Sequence, residues 1–217
     1  MAIEDVLPTM PDIERFRNEP TGDLGTGPAV PITIPVTTLG DNSFSDLPVP
    51  PGVDVILSFT GAGGGGGGGG DGGEGASGGG GGASVVVLIP AATWAANGNI
   101  TIVAGGAGAT VSGLPGSSAD LCILEMSSGE VVLTGGGGGD GSASTPGAGG
   151  TVTHTGTGFT ILASFPGNPG QNAVGTAGGA GGAPGFAPGG AGGKGGDVSP
   201  FAGADGGAGF ALVSFNL

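Results

Sequence analysis

Residues 61–82 read GAGGGGGGGGDGGEGASGGGGG and include eight consecutive glycines at 63–70. Glycine loses more conformational freedom on folding than any other residue, by about 0.5–1 kcal/mol relative to alanine in regular structure. Ordering this stretch is therefore favourable only in a fold that requires backbone without side chains at these positions. The alternative is that the stretch is a disordered linker.

Glycine is concentrated in the later part of the chain. Residues 1–60 contain five of the 58 glycines, and long runs recur at 135–150 and 175–196. Flexible linkers are usually diluted with Ser, Lys, Glu or Gln, whereas these runs consist mostly of glycine and alanine. Apolar segments also frame each run. These features favour ordered structure in the runs taken together.

Collagen does not fit this region, because collagen needs glycine strictly at every third residue and abundant proline. Residues 61–217 contain unbroken glycine runs and eight prolines. A related structure keeps the extended helix of three residues per turn and packs many such helices side by side. These helices have no internal hydrogen bonds, so their buried peptide groups must bond to neighbouring helices. The sequence therefore predicts a bundle of polyglycine II helices.

Short apolar runs interrupt the glycine and are rich in β-branched or aromatic residues, which favours strands over helices. Turn sequences such as Asn97-Gly98 and Ser128-Gly129 separate some of them. We predict a mainly β fold, a short-strand sandwich or small barrel carrying polyglycine II-like segments, with helix essentially absent. The predicted strands are Val53–Phe59, Ser84–Ile89, Asn99–Val103, Asp120–Met126, Glu130–Thr134, Phe159–Phe165 and Phe210–Phe215.

The N-terminal part is punctuated by proline, which removes backbone donors and favours extended conformations. We predict an extended arm over residues 1–46 and one glycine-rich domain over residues 47–217. Within the arm, residues 11–18 could form a short helix, and residues 30–38 have the alternation of an extended strand. The arm is expected to lie on another surface, or to be a partly flexible leader.

Charge and composition exclude several functions. The chain has 17 acidic and 3 basic residues, a net charge of −14, so we expect it to bind no nucleic acid. A single His154 and a single Cys122 cannot form a His/Cys zinc cluster, and we expect no enzyme activity, metal or cofactor. The start of the chain lacks the charge pattern of a signal peptide, and no apolar stretch is long enough to span a membrane. Synthesis in the cytoplasm without membrane insertion follows as an expectation.

Four local features have both an ordinary and a functional interpretation. The calcium β-roll repeat matches at Asp71, Asp140 and Asp197, but its large apolar position is Gly73, Ser142 or Ser199, so calcium is not expected. Threonines alternate around His154, as in an exposed strand or, alternatively, an ice-binding hydroxyl ladder. Cys122 is predicted to be a small core residue. Trp94 is predicted to be a packing anchor, with a surface contact as the alternative.

The order of segments resembles the glycine-rich domain of bacteriophage tail fibres and adhesins. The resemblance spans residues 47–217 and is carried by Pro50–Val53, Gly61–Gly63, Asn97–Gly108 and Gly206–Phe215. It implies a virion appendage, commonly trimeric, with an N-terminal attachment region and a distal domain that contacts the host surface. It also implies a polyglycine II body whose end loops contact the receptor.

The side chains that interrupt glycine segments are the candidate receptor contacts, since they are expected at turns at the ends of the bundle. They are Asp71, Glu74, Asp140, Phe186, Lys194, Phe201 and Asp205. For the acidic residues the alternative role is solubility. The two phenylalanines are favoured, because aromatic residues on exposed loops more often mark binding.

These observations predict a phage virion protein located on the particle and synthesised in the host cytoplasm. Residues 1–46 would attach it to tail, baseplate or capsid proteins, and the glycine-rich domain would bind a host glycan or outer-membrane protein. A homo-oligomer is expected, with a trimer favoured. The alternatives are a capsid decoration or other non-adhesive virion protein, and a glycine-rich antifreeze protein.

Circular dichroism tests the predicted bundle. The glycine-rich domain is expected to give the spectrum of left-handed extended helices, because polyglycine II has the polyproline II conformation. A random-coil spectrum of the same domain would contradict the bundle and leave the linker interpretation.

Overall fold

The computed structural model describes residues 31–70, 73–186 and 190–217. These ranges form one compact unit that begins at Pro31 and ends at Leu217. Asp71 and the predicted helix at residues 11–18 lie outside the described residues.

The first sheet, sheet 1, is antiparallel throughout and has the strand order β1-β10-β3-β4-β9. Strand β4 pairs with β9 across a bulge at Val86/Val87. The first and last strands of the described unit are therefore neighbours. The strands are β1 (Pro31–Val36), β3 (Val55–Thr60), β4 (Ser84–Ile89), β9 (Thr160–Phe165) and β10 (Phe210–Asn216).

The second sheet, sheet 2, is also antiparallel and has the strand order β2-β5-β6-β7-β8. A 3-10 helix at Phe44–Asp46 follows its first strand, and a short helix, α1 (Ala91–Ala95), precedes its second. The strands are β2 (Gly40–Ser43), β5 (Gly98–Ile102), β6 (Cys122–Met126), β7 (Gly129–Leu133) and β8 (Val152–Gly156).

The two sheets pack as a sandwich around one apolar core. Alternate residues of the central strands point inwards, so that Leu57 and Val87 of sheet 1 and Ile100 and Leu124 of sheet 2 are completely buried. Phe44 and Trp94 close the core at one end, with ring planes 4° apart and centroids 4.0 Å apart. The predicted mainly β sandwich is confirmed, and so is the packing role of Trp94.

The sandwich includes residues that the sequence had placed in the arm. Strand β1 pairs with β10 along its whole length, and β2 pairs with β5, so residues 31–46 belong to the folded unit. The predicted boundary at residues 46 and 47 therefore does not match the boundary of the compact unit at Pro31. The polar strand β2 has no alternating apolar pattern of its own, and it forms because β5 offers a partner edge.

Strands of both sheets continue directly into extended segments without regular sheet pairing. Ten such segments occur within the described residues, and we number them g1 to g10 in chain order. They are 61–69 (g1), 75–82 (g2), 103–110 (g3), 113–119 (g4), 134–140 (g5), 145–150 (g6), 166–173 (g7), 177–184 (g8), 190–197 (g9) and 201–209 (g10).

Backbone hydrogen bonds identify g1 as a polyglycine II helix. The N–H groups of Gly64 and Gly67 donate to g2, those of Gly65 and Gly68 to g4, and those at 63, 66 and 69 to g10. The direction of donation therefore repeats every three residues, as in a helix with three residues per turn, and not every two as in a strand. No residue of g1 has a positive φ, which gives the helix its left-handed sense.

The ten segments pack on a hexagonal lattice in three layers. The order is g4-g5-g6 in one outer layer, g3-g1-g2-g7 in the middle layer and g10-g9-g8 in the other outer layer. Every adjacency that this arrangement requires is present as at least one backbone hydrogen bond between the described residues. Segments g1 and g2 are consequently enclosed on all six sides.

Enclosure explains the unbroken glycine runs of g1 and g2, at residues 63–69 and 78–82. A Cβ atom added at Gly64, Gly66 or Gly80 would overlap the carbonyl oxygen of Gly137, Lys194 or Ala148, respectively. These obstacles are backbone atoms of bonded neighbours and cannot move aside. Glycine is thus required at these positions of g1 and g2, because adjacent backbones approach within hydrogen-bonding distance.

Outer segments have one side facing solvent, and there larger residues recur at intervals of three. In g8, Ala177, Ala180 and Ala183 are exposed, while Gly179 and Gly182 between them are buried. Segment g7 lies at the solvent-facing end of the middle layer and has the same spacing. There Gly167 and Gly170 are buried, and the proline, asparagine and glutamine residues beside them are exposed. The three-residue spacing of the larger residues therefore indicates which side of each helix faces solvent and which side faces the bundle.

The described unit has two chemically different ends. The base contains Pro31, the loop 44–54, α1 and the C-terminus, because strands β1 and β10 start and finish there. The tip contains Gly70, residues 73–74 and the turns 111–112, 141–144, 174–176 and 198–200, at the far ends of the segments. The junction, at residues 37–39, 120–121 and 184–186, lies between sandwich and bundle.

Substituting Gly66 with alanine should destabilise the fold by about 3 kcal/mol or more, because the new methyl group has no space among the backbones. Chemical denaturation measures this loss. Gly207→Ala in g10 is the matched control, since its nearest obstacle is Ala191 N at 3.1 Å, and a smaller loss is expected. Equal effects at both sites would contradict the enclosed position of g1.

Candidate functional site

Large apolar side chains of the bundle are concentrated at the tip. Val174 is 81% exposed, Val111 53%, Leu114 51% and Phe201 44%. The described body of the bundle exposes glycine, alanine, proline and polar residues instead. Exposed apolar groups gathered on one surface of a soluble protein mark an interaction site more often than isolated ones do. The tip is therefore the candidate functional site.

The end of g1 fixes two of the tip turns. Gly68 N donates to Leu114 O at 2.9 Å, and Gly113 N donates back to Gly68 O at 2.8 Å. The neighbouring Gly69 N donates to Phe201 O at 2.8 Å. The backbone beneath Leu114 and Phe201 is thus held by the enclosed helix, so both side chains project from a rigid support.

A second group of turns holds Val174. Val174 N donates to Ala177 O at 3.0 Å, Ala177 N donates back at 3.1 Å, and Val198 N donates to Thr176 O at 3.0 Å. A shallow hollow of about 400 Å³ lies between Thr176, Asp197 and Ser199. Its hydroxyl and carboxylate groups supply hydrogen-bonding partners beside the exposed valine.

Asp197 connects the g9–g10 turn to g8. Its Oδ1 accepts hydrogen bonds from Gly178 N at 2.7 Å and from Lys194 Nζ at 2.9 Å. The Gly178 N–H and, secondly, the Lys194 ammonium group lower the pKa of Asp197 below its ordinary value of 3.8. The carboxylate therefore fixes the position of the turn at neutral pH.

Three of the seven predicted contact residues are at the tip. Glu74 is exposed in the turn between g1 and g2, and its carbonyl accepts from Gly70 N at 2.9 Å. Asp140 ends g5, where its carbonyl accepts from the buried Ser77. Phe201 begins g10. The structure brings these three to the same end of the bundle.

The other described candidates lie elsewhere, which differs from the expectation that all would occupy end turns. Lys194 lies within g9 on a side of the bundle, and Asp205 lies within g10, where its Oδ1 accepts from Gly108 N at 2.8 Å. Phe186 lies at the junction and packs against Phe165, with ring centroids 5.1 Å apart. A side chain that interrupts a glycine run is not restricted to an end turn. It also fits on any solvent-facing side of a helix with three residues per turn.

Sequence reasoning did not identify Val111, Leu114 and Val174. A signal was present, because each is a single large apolar residue beside glycine or a hydroxyl residue in a turn. A large apolar residue that does not belong to an apolar run of strand length is not carried into the core of the sandwich, so it stays exposed. An isolated apolar residue between two glycine-rich segments is therefore a useful indicator of a tip.

The structure separates the two reactive side chains of the sequence. Cys122 is completely buried in the core, as predicted, and burial raises the pKa of its thiol. His154 is exposed on the edge strand β8, opposite Val131, whereas Cys122 lies opposite Leu133. The predicted exposed threonine-rich strand around His154 is confirmed by β8, in which Thr153 and Thr155 are exposed.

The described residues contain no group of three His, Cys, Asp or Glu side chains placed to hold a metal ion. Asp140 and Asp197, the two described positions of the calcium repeat, end different segments, g5 and g9. Within the same residues, no helix has the length and apolar character needed to cross a membrane. No model of a known protein family matches the chain, and no curated protein is similar to it in sequence.

Replacing Asp197 with asparagine should lower the thermal midpoint at pH 7. A carboxylate whose pKa is lowered by folding stabilises the folded state above its unfolded-state pKa, and this contribution disappears as the pH falls through the folded-state pKa. The difference between the two proteins should therefore shrink as the pH falls below 3.8. Thermal unfolding at a series of pH values measures it.

Lys194→Met is the companion variant, since it removes only the second cause of the lowered pKa. Its effect at pH 7 should be smaller than that of Asp197→Asn. A difference between wild type and Asp197→Asn that persists undiminished at pH 2 would show that the carboxylate charge is not responsible.

Proposed function

We propose that this protein is a bacteriophage virion protein, a tail fibre or tail-tip adhesin that contacts the host cell surface. The observation that supports this most is the position of Val111, Leu114, Val174 and Phe201 at one end of a bundle with few large side chains. A bundle held by backbone hydrogen bonds is stiff and presents its end turns at a fixed geometry. Recognition is then a function of the tip.

The base is the proposed attachment end. The described unit begins there, with Pro31 as the first residue of β1. An apolar recess of about 420 Å³, lined by Phe44, Leu47, Val49 and Trp94 among others, also opens at the base. Both features suit docking on another virion protein, leaving the tip free to reach a host glycan or outer-membrane protein.

The proposed mechanism is adhesion without a chemical step. Apolar side chains and hydroxyl groups at the tip supply contact area and hydrogen bonds to a receptor. A single tip of this size binds weakly, and several copies on one particle multiply the effect by effective concentration. The chain's charge of −14 disfavours purely electrostatic attraction to an anionic cell surface, so the apolar contacts carry the specificity.

Phage particles carrying Val174→Asp and Phe201→Asp test the proposal. Each change puts a charge on an apolar contact, and adsorption to host cells should slow at least about tenfold. The matched control carries Leu39→Asp and Leu121→Asp, which are exposed to 55% and 47% at the junction. The control particles should adsorb at the wild-type rate.

The same particles distinguish a decoration protein from an adhesin. Normal adsorption of the tip variant would eliminate the adhesive role. Particles that lack the protein, adsorb normally and have fragile heads would also eliminate it and would favour the non-adhesive virion protein. Electron microscopy of both particles supplies the readout of particle integrity.

Ice binding is a second candidate, favoured by the row of Ala177, Ala180 and Ala183 along g8. Small residues at regular spacing make a flat face, although Lys194, with its side chain 54% exposed, interrupts the neighbouring g9. Thermal hysteresis of the purified protein would support this candidate, and its absence would eliminate it.

A further inference from the structure

The outer face of sheet 1 is mainly apolar. Its strands carry no charge, and exposed Asp54 borders the face two residues before Ile56. Ile56 and Phe165 are 42% and 43% exposed on this face, and Leu162, which is 51% exposed, lies at the bulge of the edge strand β9. Half-buried Leu88 lies directly opposite Ile56 in the register, so the apolar surface is continuous across the central strands. None of the five strands of this sheet contains an ionisable residue.

Phe186 extends this face towards the bundle. Its backbone N–H donates to Ser84 Oγ at 3.3 Å, and its ring meets Phe165 edge to face, with centroids 5.1 Å apart. The pair covers Ser84, which is completely buried and bonded to Thr60 Oγ1 at 3.2 Å. Phe186 is nevertheless 44% exposed, so an aromatic pair borders the apolar face.

Sheet 2 has the opposite character on its outer face. Asp41, Glu125 and Glu130 lie on its strands, and Glu125 is directly opposite Glu130. Like charges on directly opposite residues destabilise a sheet, so this arrangement is tolerable only where water screens both carboxylates. Sheet 2 must therefore keep its outer face in water, whereas the uncharged outer face of sheet 1 has no such requirement.

We infer that the outer face of sheet 1 is the surface on which a second copy of this chain packs. The net charge of −14 opposes self-association, so the interface must keep carboxylates apart. Two sandwiches joined through sheet 1 place their sheet 2 layers three sheet spacings, roughly 30 Å, apart. That distance is several times the Debye length of about 8 Å at physiological salt.

The face is also self-complementary. Thr33, Ser58 and Ser214 provide hydroxyl groups among the apolar residues, and a hydroxyl both donates and accepts. Two identical faces can therefore pair about a twofold axis, with their strands within about 30° of each other. A cationic partner would be drawn to the carboxylates of sheet 2 instead. Such an interface joins two copies, in contrast to the trimer expected from sequence resemblance.

Sedimentation or light scattering of the full chain tests this assignment without a host cell or a particle, so its outcome is independent of the proposed adhesion. The wild type is expected at twice the chain mass of 19.8 kDa. Ile56→Glu should weaken association at least about 100-fold, because the carboxylate would be buried at the interface. Circular dichroism verifies that the variant is folded.

Ile123→Glu is the matched control, since Ile123 is half-buried on the central strand β6 and faces outwards from sheet 2. It should remain a dimer. If Ile56→Glu fails to fold, Phe186→Glu places a charge on the same face outside the strands and should give monomers.

Several outcomes would overturn the inference. These are a wild type that stays monomeric up to about 100 µM, a mass of three chains, or dissociation by Ile123→Glu as readily as by Ile56→Glu. A dimer that survives both Ile56→Glu and Phe186→Glu would place the interface elsewhere. A monomeric wild type would indicate that a partner of another sequence, or another part of this chain, covers the face.

Discussion

The structure depends on lateral hydrogen bonds between the peptide groups of neighbouring extended helices. From Gly63 to Gly68, each residue of g1 directs its N–H and its C=O at other segments, and the direction of donation repeats every three residues. Backbones can approach this closely only where no Cβ intervenes, as the blocked position at Gly66 illustrates. Glycine is therefore a structural requirement at the enclosed positions of g1 and g2. The hydrogen bonds that it permits offset the large loss of conformational freedom that glycine undergoes on folding.

The sandwich supplies what the glycine segments lack. A polyglycine II helix has no internal hydrogen bonds and no apolar surface, so it has no means of fixing its own position. Here the apolar core around Leu57, Val87 and Leu124 holds strands whose continuations become segments of the bundle. A strand fixes one end of every segment except g8 and g9, and the lattice of backbone hydrogen bonds fixes the remaining ends. Recognition is left to the turns at the tip and to the outer faces of the two sheets.

Much of this arrangement could be predicted from local sequence. The seven predicted strands are present, because β-branched runs of this length have a strong preference for sheets. The burial of Cys122 and Trp94 followed from their apolar surroundings. Glu74, Asp140 and Phe201 were correctly expected at turns, whereas Lys194, Asp205 and Phe186 are not at the tip. Any solvent-facing side of a helix with three residues per turn accepts such a residue, and sequence spacing does not distinguish the side from the end.

The sequence by itself determined the extended, side-chain-free helices and the strands that frame them, because both follow from residue type within a few positions. Only the tertiary structure decided which segments are neighbours. Thr33 bonds to Ser214 between the first and last strands of the described unit, and β2 forms on the edge offered by β5. It also decided that Val111, Leu114, Val174 and Phe201 share the tip. Every residue type except proline offers the same backbone hydrogen-bonding groups, so these bonds do not specify which segments pair. The packing of the whole lattice, and not any local sequence pattern, decides which segments are neighbours.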